Sequence, residues 1–406
     1  MIFRLIGIAF VFICTAIAWA VLGTTIQFRT ESSTASLRDR VQSVWGAPQV
    51  QTAPFAEYTD PPASKRPDKP GITHTLRPWS SEVAVAIQYE PRKKGLLWYS
   101  TYSINFQGDY KFRAPQDEEK AVRLALRLPA DRAEYDDLRF TVDNEAVDPF
   151  VSAGIASVVM PIAAGQTRHL HIAYRSQGLD SWGYSFGDQV NLVRNFHLRM
   201  TTNFHAIDFP DNTLAPASKR PTRDGWELDW NYQNLLSGYR IAMTMPAKLQ
   251  PGPLASQISF FAPVSLFFFF FALFIISTSR DIELHPMNYF FLAAAFFAFH
   301  LLLAYLVDHL DVRVSFAIAS VVSVALVVTY LRLVVGIGFA AREAGIAQLV
   351  YLVLFSSAFF FQGYTGLSIT LGAIATLFVA MQMSGRIRWA EKFSIRKQAP
   401  PIQQGA

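Results

Sequence analysis

The sequence predicts an integral membrane α-helical protein with six spans, one N-terminal and five C-terminal, and a mainly-β domain of antiparallel, sandwich-like strands between them. Its apolar residues, including most of the 34 phenylalanines, concentrate in residues 2–26 and 258–383. Residues 29–255 have instead the mixed composition of a soluble protein, which is typical of a membrane protein with one large extramembrane region. Within that region, residues 81–246 alternate apolar and polar side chains with a period of two, as half-buried strands do.

The first apolar run predicts an N-terminal transmembrane anchor over residues 1–26. Leu5 to Ile26 contains 22 residues without a charge, and a helix of that length spans roughly 33 Å, enough for a bilayer core. Ala18-Trp19-Ala20 resembles a signal-peptidase site, which raises the alternative of a cleaved signal peptide. We expect an uncleaved anchor, because the apolar character continues past that site to Ile26.

Residues 27–257 are predicted to form the β domain, preceded by a short helix and a loop. The apolar residues of segment 36–45 fall on one helical face, and Gly46 and Pro48 would end that helix. Residues 52–80 contain six prolines, and we expect a proline-rich loop there.

The strand predictions rest on alternation and on turn residues. Val83 to Tyr89 alternates throughout, Gly108-Asp109 is predicted to turn the chain, and Asp143-Asn144 is predicted to form a hairpin turn. Later strands are predicted around Val158, Ile172, Leu198, Leu228 and Met243. Short strands at this spacing favour an antiparallel sandwich or a related β domain.

Two groups of residues in the β domain raise the question of a binding site. The stripe Trp226, Leu228, Trp230 and Tyr232 would suit stacking on a sugar, but a sheet core is the commoner use of such a stripe. His169 and His171 share a strand face and are spaced to chelate a metal, yet the sequence offers no evident third ligand. We therefore predict no metal and no other cofactor.

The sequence contains no feature that identifies a reaction. Its one cysteine, Cys14, lies in the first apolar run, so no disulfide can form within the chain. No nucleophile elbow, phosphate loop or metalloprotease helix is present. The net charge of +5 is not organised into a basic face with interleaved aromatics, so nucleic acid is not an expected partner. We predict that the protein is not an enzyme.

The last third, residues 258–385, is predicted to form a block of five membrane-spanning helices. The expected spans are residues 258–277, 287–307, 315–335, 347–361 and 367–383. The basic residues of the short connections favour one side of the membrane. That side would carry Arg4, Arg280, Arg332, Arg342 and the basic tail 386–406, whereas the other carries only Arg313. The positive-inside rule then predicts cytoplasmic termini and a periplasmic location for residues 27–257 in the inner membrane of a double-membrane bacterium.

Short motifs in this block resemble those of a known family. The block contains His285-Pro286-x-x-Tyr289, Asp308-His309 and Tyr330-Leu331, and Arg386-Ile387-Arg388-Trp389 follows its last span. In this pattern the chain resembles the CreD family of bacterial inner-membrane proteins, as a divergent member with Asp308 where the family more often has glutamate. The resemblance implies a role in envelope integrity, including tolerance to colicin-type toxins and responses to cell-wall stress. It supplies no biochemical activity.

The candidate functional residues are the motif positions and one histidine within a span. They are His285, Pro286, Tyr289, His300, Asp308, His309, Arg386 and Trp389. His285 before Pro286 suits the start of a helix, where proline is tolerated. His300 lies mid-span and is expected to bond another helix through Ser320 or Ser323, with a proton relay as the alternative.

Asp308 and His309 would end the same span. The simplest interpretation is a solvated helix end, and the alternative is a polar contact or pH-sensitive latch with the β domain. The main functional hypothesis is a non-enzymatic envelope protein that contacts the lipid bilayer and other envelope proteins. The alternatives are a transport component for a lipid or small solute, which His300 and Asp308 would serve, and a periplasmic sensor acting through a partner protein.

Overall fold

The computed structural model describes residues 2–60, 71–95, 97–114, 119–130, 133–187, 189–361 and 363–385. The chain divides into two compact units. The helical unit contains Met1–Thr34, Gly95–Leu97 and Leu249–Ala406, and the β unit contains Ala35–Lys94 and Trp98–Lys248. The basic tail 386–406 and part of the predicted proline-rich loop, residues 61–70, lie outside the described residues.

Within the described residues, six helices are long and apolar enough to cross a membrane, as predicted: one N-terminal and five C-terminal. They are α1 (Ile2–Trp45), α2 (Pro251–Ser279), α3 (Pro286–His309), α4 (Val312–Val334), α5 (Ile337–Phe360) and α6 (Thr365–Ser384).

The first helix is longer than the sequence suggested. The predicted anchor and the predicted amphipathic helix 36–45 are parts of one continuous helix, α1. The residues between them, 27–35, include neither proline nor glycine, so nothing interrupts the helix. It ends at Gly46, which adopts a left-handed φ of 84° and donates its N–H to the Gln42 carbonyl.

The fifth span begins about ten residues before the predicted start at residue 347. Arg342 and Glu343 interrupt the apolar run there, but Glu343 forms an ion pair of 2.6 Å with Arg280 at the end of α2. The helix also contains two π-helical segments, Ala340–Ala344 and Leu349–Leu354. Segments of this kind inside α-helices are often found at functional sites.

The β unit is built from mostly antiparallel strands. The strands are β1 (Gln49–Thr52), β2 (Phe55–Asp60), β3 (Ile72–Leu76), β4 (Ser80–Tyr89), β5 (Arg92–Lys94), β6 (Leu97–Tyr99), β7 (Thr101–Arg113), β8 (Lys120–Arg127), β9 (Tyr135–Val142), β10 (Glu145–Ala146), β11 (Phe150–Ser152), β12 (Ile155–Ile162), β13 (Thr167–Leu179), β14 (Ser181–Ser185), β15 (Asn191–Thr202), β16 (Ser218–Pro221), β17 (Trp226–Ser237) and β18 (Ile241–Thr244).

Two main sheets enclose the core of this unit. The larger has the strand order β10-β9-β13-β7-β4-β15-β17-β16, and the smaller has the order β11-β12-β8-β2-β3. Their apolar faces contribute to one hydrophobic core, with Val85 and Phe106 from the larger sheet and Leu124 from the smaller. Phe106 stacks on Tyr174 with ring centroids 4.9 Å apart. A third sheet, β1-β14-β18, includes the parallel pair β1–β14. The architecture agrees with the predicted sandwich-like class.

The predicted loop over residues 52–80 contains two strands. β2 and β3 pair antiparallel, and β2 also pairs with β8. The loop prediction failed because it counted prolines without regard to position. Pro54 and Pro61 bracket β2, and Pro70 and Pro78 bracket β3, so no ladder hydrogen bond within either strand is lost.

The two turn predictions had opposite outcomes. Asp143 and Asn144 have φ angles of 50° and 70° and join β9 to β10, so the hairpin prediction is confirmed. The prediction of a turn at Gly108-Asp109 is wrong, because strand β7 continues through both residues. Gly108 makes room for the Tyr110 ring, since a Cβ at residue 108 would lie 2.6 Å from Tyr110 Cε2.

The aromatic stripe of β17 belongs mainly to the core. Leu228 and Trp230 are fully buried, and the Trp230 indole N–H donates to the Leu214 carbonyl at 2.8 Å. Trp226 and Tyr232 are partly buried and pack against the same core. The core interpretation of this stripe therefore holds.

Candidate functional site between the first and third spans

Four of the predicted residues of α3 contact α1 at successive heights. From Gly7–Pro286 through Trp19–His300 to Arg29–Asp308 the residue numbers rise in both helices, so α1 and α3 run parallel. We call this contact the α1–α3 seam. Its four pairs are Arg4–Tyr289, Gly7–Pro286, Trp19–His300 and Arg29–Asp308.

The histidine-proline pair starts α3 and sets its distance from α1. His285 is the N-cap, and its Nδ1 accepts a hydrogen bond from the Met287 N–H at 3.2 Å. Pro286 occupies the first helical position, where its missing N–H costs no hydrogen bond. Its ring faces Gly7, where a Cβ would lie 2.8 Å from Pro286 Cβ. The close approach of the two helices therefore requires glycine at residue 7.

Arg4 ties the beginning of α1 to two other helices. Its Nη2 donates to Ser277 Oγ of α2 at 3.1 Å and to Tyr289 Oη of α3 at 3.5 Å. The guanidinium also lies 5.5 Å from the centre of the Phe274 ring. Tyr289 is fully buried and packs edge-on against Phe270. The sequence prediction had counted Arg4 only as a charge that orients the membrane protein.

His300 forms the middle of the seam and is buried. Its Nδ1 donates to the Phe296 carbonyl at 3.0 Å, one turn earlier in the same helix. The Trp19 indole packs edge-on against the imidazole with ring centroids 5.2 Å apart. His300 Nε2 and the Trp19 indole N–H are both buried, and neither has a hydrogen-bond partner in the part of the chain that the structure describes.

The predicted bond between His300 and Ser320 or Ser323 is absent from the hydrogen bonds of the described residues. Ser320 donates to the Phe316 carbonyl of its own helix. Ser323 instead donates to the Ala295 carbonyl at 2.8 Å and accepts from Gln348 Nε2 at 2.9 Å. Both serines therefore satisfy their hydroxyls without the histidine.

Asp308 closes the far end of the seam. Its Oδ1 lies 3.0 Å from Arg29 Nη2, and Arg29 also donates to the Ala304 carbonyl at 3.3 Å. The prediction of a simply solvated helix end is wrong for Asp308, because sequence alone did not indicate that Arg29 of α1 lies beside it. His309 is the last residue of α3 and is exposed. Arg386 and Trp389 lie outside the described residues.

A second polar cluster lies on the outer face of the larger sheet in the β unit. His171 Nδ1 is 2.8 Å from Asp109 Oδ1, and His169 Nε2 is 3.5 Å from the same oxygen. The sequence missed this carboxylate, because Asp109 was predicted to lie in a turn. Even so, the described residues contain no group of three metal-ligating side chains arranged to hold a metal ion.

The row of ionisable side chains continues across the sheet. Glu82 is the cross-strand neighbour of Asp109, and His197 is the neighbour of Glu82 on the other side. His197 Nε2 lies 3.3 Å from Asp229 Oδ1. Burial raises the pKa of Asp229, but the hydrogen bonds from His197 and Ser218 outweigh it and hold the pKa below its ordinary value.

The same outer face contains a polar groove of about 380 Å³. Gln88 of β4 and Ser103 and Asn105 of β7 form part of its lining. At one side, Arg175 pairs with Asp136 at 2.7 Å. Neutral hydrogen-bonding groups beside a charged pair suit a polar ligand better than an apolar one.

The helices and sheets together define a multi-pass membrane protein with a large β domain. Residues 260–390 match the family model described as Inner membrane protein CreD. This match is consistent with a CreD family member, and it covers most of α2 and all of α3 to α6 but neither α1 nor the β unit. The α3 half of the seam lies inside the matched residues.

Other comparisons add little. No curated protein matches the chain. Among solved structures, it is similar to a putative nutrient binding protein from Legionella pneumophila, with 10% identity, 55% of this chain and 76% of that chain covered, and a TM-score of 0.32. It is also similar to an M1 zinc metallopeptidase from Deinococcus radiodurans, with 11% identity, 42% of each chain covered and a TM-score of 0.27. Likenesses at these TM-scores carry no argument about activity.

Proposed function

We propose that the protein is a non-enzymatic inner-membrane protein that maintains the cell envelope, including tolerance to stress and to colicin-type toxins. The α1–α3 seam is the observation that supports this proposal. The family-motif residues of α3 are used to hold α1, and α1 continues to Trp45, within the β unit. Motif residues employed in this way suit a scaffold for the β domain better than a reaction centre.

In this proposal both termini are cytoplasmic and residues 27–257 are periplasmic. The arginines of the short connections support this orientation, because all except Arg313 fall on the side of the termini. The parallel direction of α1 and α3 also agrees with it, since alternate spans of a six-span protein cross the membrane in the same direction.

The test combines a topology reporter with complementation of a deletion strain. We expect reporters within residues 81–246 to respond as periplasmic. We expect the deletion strain to become more sensitive to detergents, colicins and cell-wall antibiotics, and the intact gene to restore tolerance. Gly7→Ala should restore less tolerance than Gly338→Ala at equal protein levels. The Gly338 variant is the matched control, because a Cβ there would meet nothing within 4 Å.

Two results would count against the proposal. A cytoplasmic response of reporters in the β unit would exclude the orientation. An unchanged sensitivity of the deletion strain to all three kinds of agent would exclude the envelope role.

The polar groove of the β unit favours a second candidate function, a periplasmic sensor that acts through a partner protein. The probe is a soluble disaccharide–peptide fragment of peptidoglycan, titrated onto the full-length protein in nanodiscs. Ala86→Trp would fill the groove, whereas Ala84→Trp changes an exposed alanine of the same strand outside its lining. Binding lost only in the Ala86 variant supports the sensor, and equal titrations of both variants and the wild type contradict it.

A further inference from the structure

The last span packs loosely against the rest of the helical unit. Among the described residues of α6, only Thr376 and Ala380 are buried. An apolar groove lies between α6, α2 and α5, and we call it the α6 groove. Its main cavity has a volume of about 520 Å³.

The α6 groove extends along most of the span. A second cavity of about 290 Å³ adjoins the first and shares part of its lining, including Leu354 and Gly372. The first cavity follows α5 from Glu343 to Leu354, which is roughly 16 Å at 1.5 Å per residue. That length corresponds to about one leaflet of a hydrocarbon core of roughly 30 Å.

The lining explains why the groove stays open. Gly372 and Ala375 of α6 face it, opposite Ala347 of α5, and larger side chains at these positions would fill the space. A Cβ at Gly372 would meet nothing within 4 Å. The space is therefore not used for packing one helix against another.

One end of the groove is charged. Arg342 and Glu343 line that end, and Glu343 is paired with Arg280 at 2.6 Å. Arg342 is exposed and forms no ion pair with the residues that the structure describes. The end of the groove therefore presents a positive charge that the Arg280–Glu343 pair does not neutralise.

We propose that the α6 groove is a binding site for an anionic glycerophospholipid, with an acyl chain between α2, α5 and α6 and the phosphate beside Arg342. The apolar lining fits the chain, the length fits one leaflet, and the single charged end fits a negative headgroup. Arginine suits phosphate recognition because its planar guanidinium donates two parallel hydrogen bonds. The site is independent of the α1–α3 seam and of the proposed envelope role.

The first test is the number of phospholipids that the purified full-length protein retains, measured by native mass spectrometry. Gly372→Leu should lose one tightly retained phospholipid, because its side chain occupies the groove. Gly366→Leu is the matched control. It lies in the same helix, has open space at its Cβ and is outside the groove lining, so it should retain the wild-type number.

A second pair of measurements guards against a merely misfolded variant. Ala375→Phe should also lose one phospholipid, with a near-ultraviolet circular dichroism spectrum equal to that of the wild type. In nanodiscs that contain phosphatidylglycerol and phosphatidylcholine, the wild type should prefer the anionic lipid at this site. Arg342→Gln should reduce the preference about fivefold, the factor expected for one basic residue near a membrane surface.

The proposal is overturned if Gly372→Leu and Ala375→Phe keep the wild-type number of lipids. It is also overturned if Arg342→Gln leaves the headgroup preference unchanged, since the bound lipid would then be non-specific. A third contrary result is a dimer that Gly372→Leu abolishes, because the groove would then be filled by a helix of a second copy.

Discussion

The ion pair between Arg29 and Asp308 offers the sharpest test of the α1–α3 seam. At a charge separation of about 4 Å, the Coulomb energy is about 1 kcal/mol in water and about 4 kcal/mol near a protein surface. The two side chains are 38% and 28% exposed, so solvent screening and the loss of side-chain freedom reduce the net value. We expect a coupling energy of about 1 kcal/mol.

The assay is a double-mutant cycle with Arg29→Gln, Asp308→Asn and the double variant. Unfolding of the full-length protein in mixed micelles, titrated with sodium dodecyl sulfate, gives the free energy of each. The destabilisations of the two single variants should add up to more than the destabilisation of the double variant, because each single variant leaves one charge without its partner. The coupling should also shrink at high salt.

The reasoning would be refuted if the two single effects added up to the effect of the double variant, with a coupling energy below about 0.3 kcal/mol. The variant that exchanges the two residues, Arg29→Asp with Asp308→Arg, is the control that separates charge attraction from side-chain size. It should recover part of the lost stability, which a purely steric role of either side chain would not allow.

Three further predictions concern single positions. Gly7→Ala should destabilise the helical unit by about 1–3 kcal/mol in the same unfolding assay, since its Cβ would overlap the Pro286 ring. His300→Phe should change stability by less than about 1 kcal/mol, because it removes a buried imidazole with one unpaired nitrogen. If vesicles that contain the wild-type protein showed proton-coupled uptake of a solute and His300→Phe abolished it, the transport hypothesis would replace the proposed scaffold role. Asp229→Asn should destabilise the β unit at pH 7 by about 1 kcal/mol. The pKa of Asp229 is lowered on folding, so the wild type loses this stabilisation as the pH falls below about 3.9. The gap between the unfolding midpoints of wild type and variant should therefore be smaller at pH 3 than at pH 7, and an equal gap at both pH values would contradict the assignment.

The spans were predictable because each is a long apolar run, and a bilayer imposes a minimum length on such runs. The start of α5 was missed where two opposite charges, Arg342 and Glu343, interrupt the pattern. The neutralising partner of Glu343 is Arg280, more than 60 residues earlier in the chain. Local sequence cannot indicate that a charge in a span will be paired by a distant residue.

The strands were predictable where alternation continued without interruption, as in β4 and β8. The errors lay where a residue type has two uses. Glycine is common in turns, but at residue 108 its missing side chain leaves room for the Tyr110 ring. Proline ends a strand as readily as it forms a loop, which is how β2 and β3 were missed.

The candidate residues of α3 were found from the sequence, but their partners on α1 were not. The partners are some 275 or more residues distant in the chain, and their local signals pointed elsewhere. Trp19 stands in the middle of a signal-peptidase-like Ala-Trp-Ala, and Arg4 was counted as an orienting charge. Arg29 carried the one usable signal, a lone charge at the end of an apolar helix, where an acidic partner at the end of another span would be expected.

The seam also bears on the competing interpretations of the first apolar run. A cut after Ala20 would remove Arg4, Gly7 and Trp19, which are the partners of Tyr289, Pro286 and His300. Tyr289 and His300 are almost completely buried. Without α1 both side chains would face lipid, and the Tyr289 hydroxyl would lose its hydrogen bond from Arg4. A retained α1 leaves this face of α3 covered along its whole length. The physical argument therefore favours an anchor that stays attached, because three of the four contacts that hold it depend on residues before the potential cleavage site.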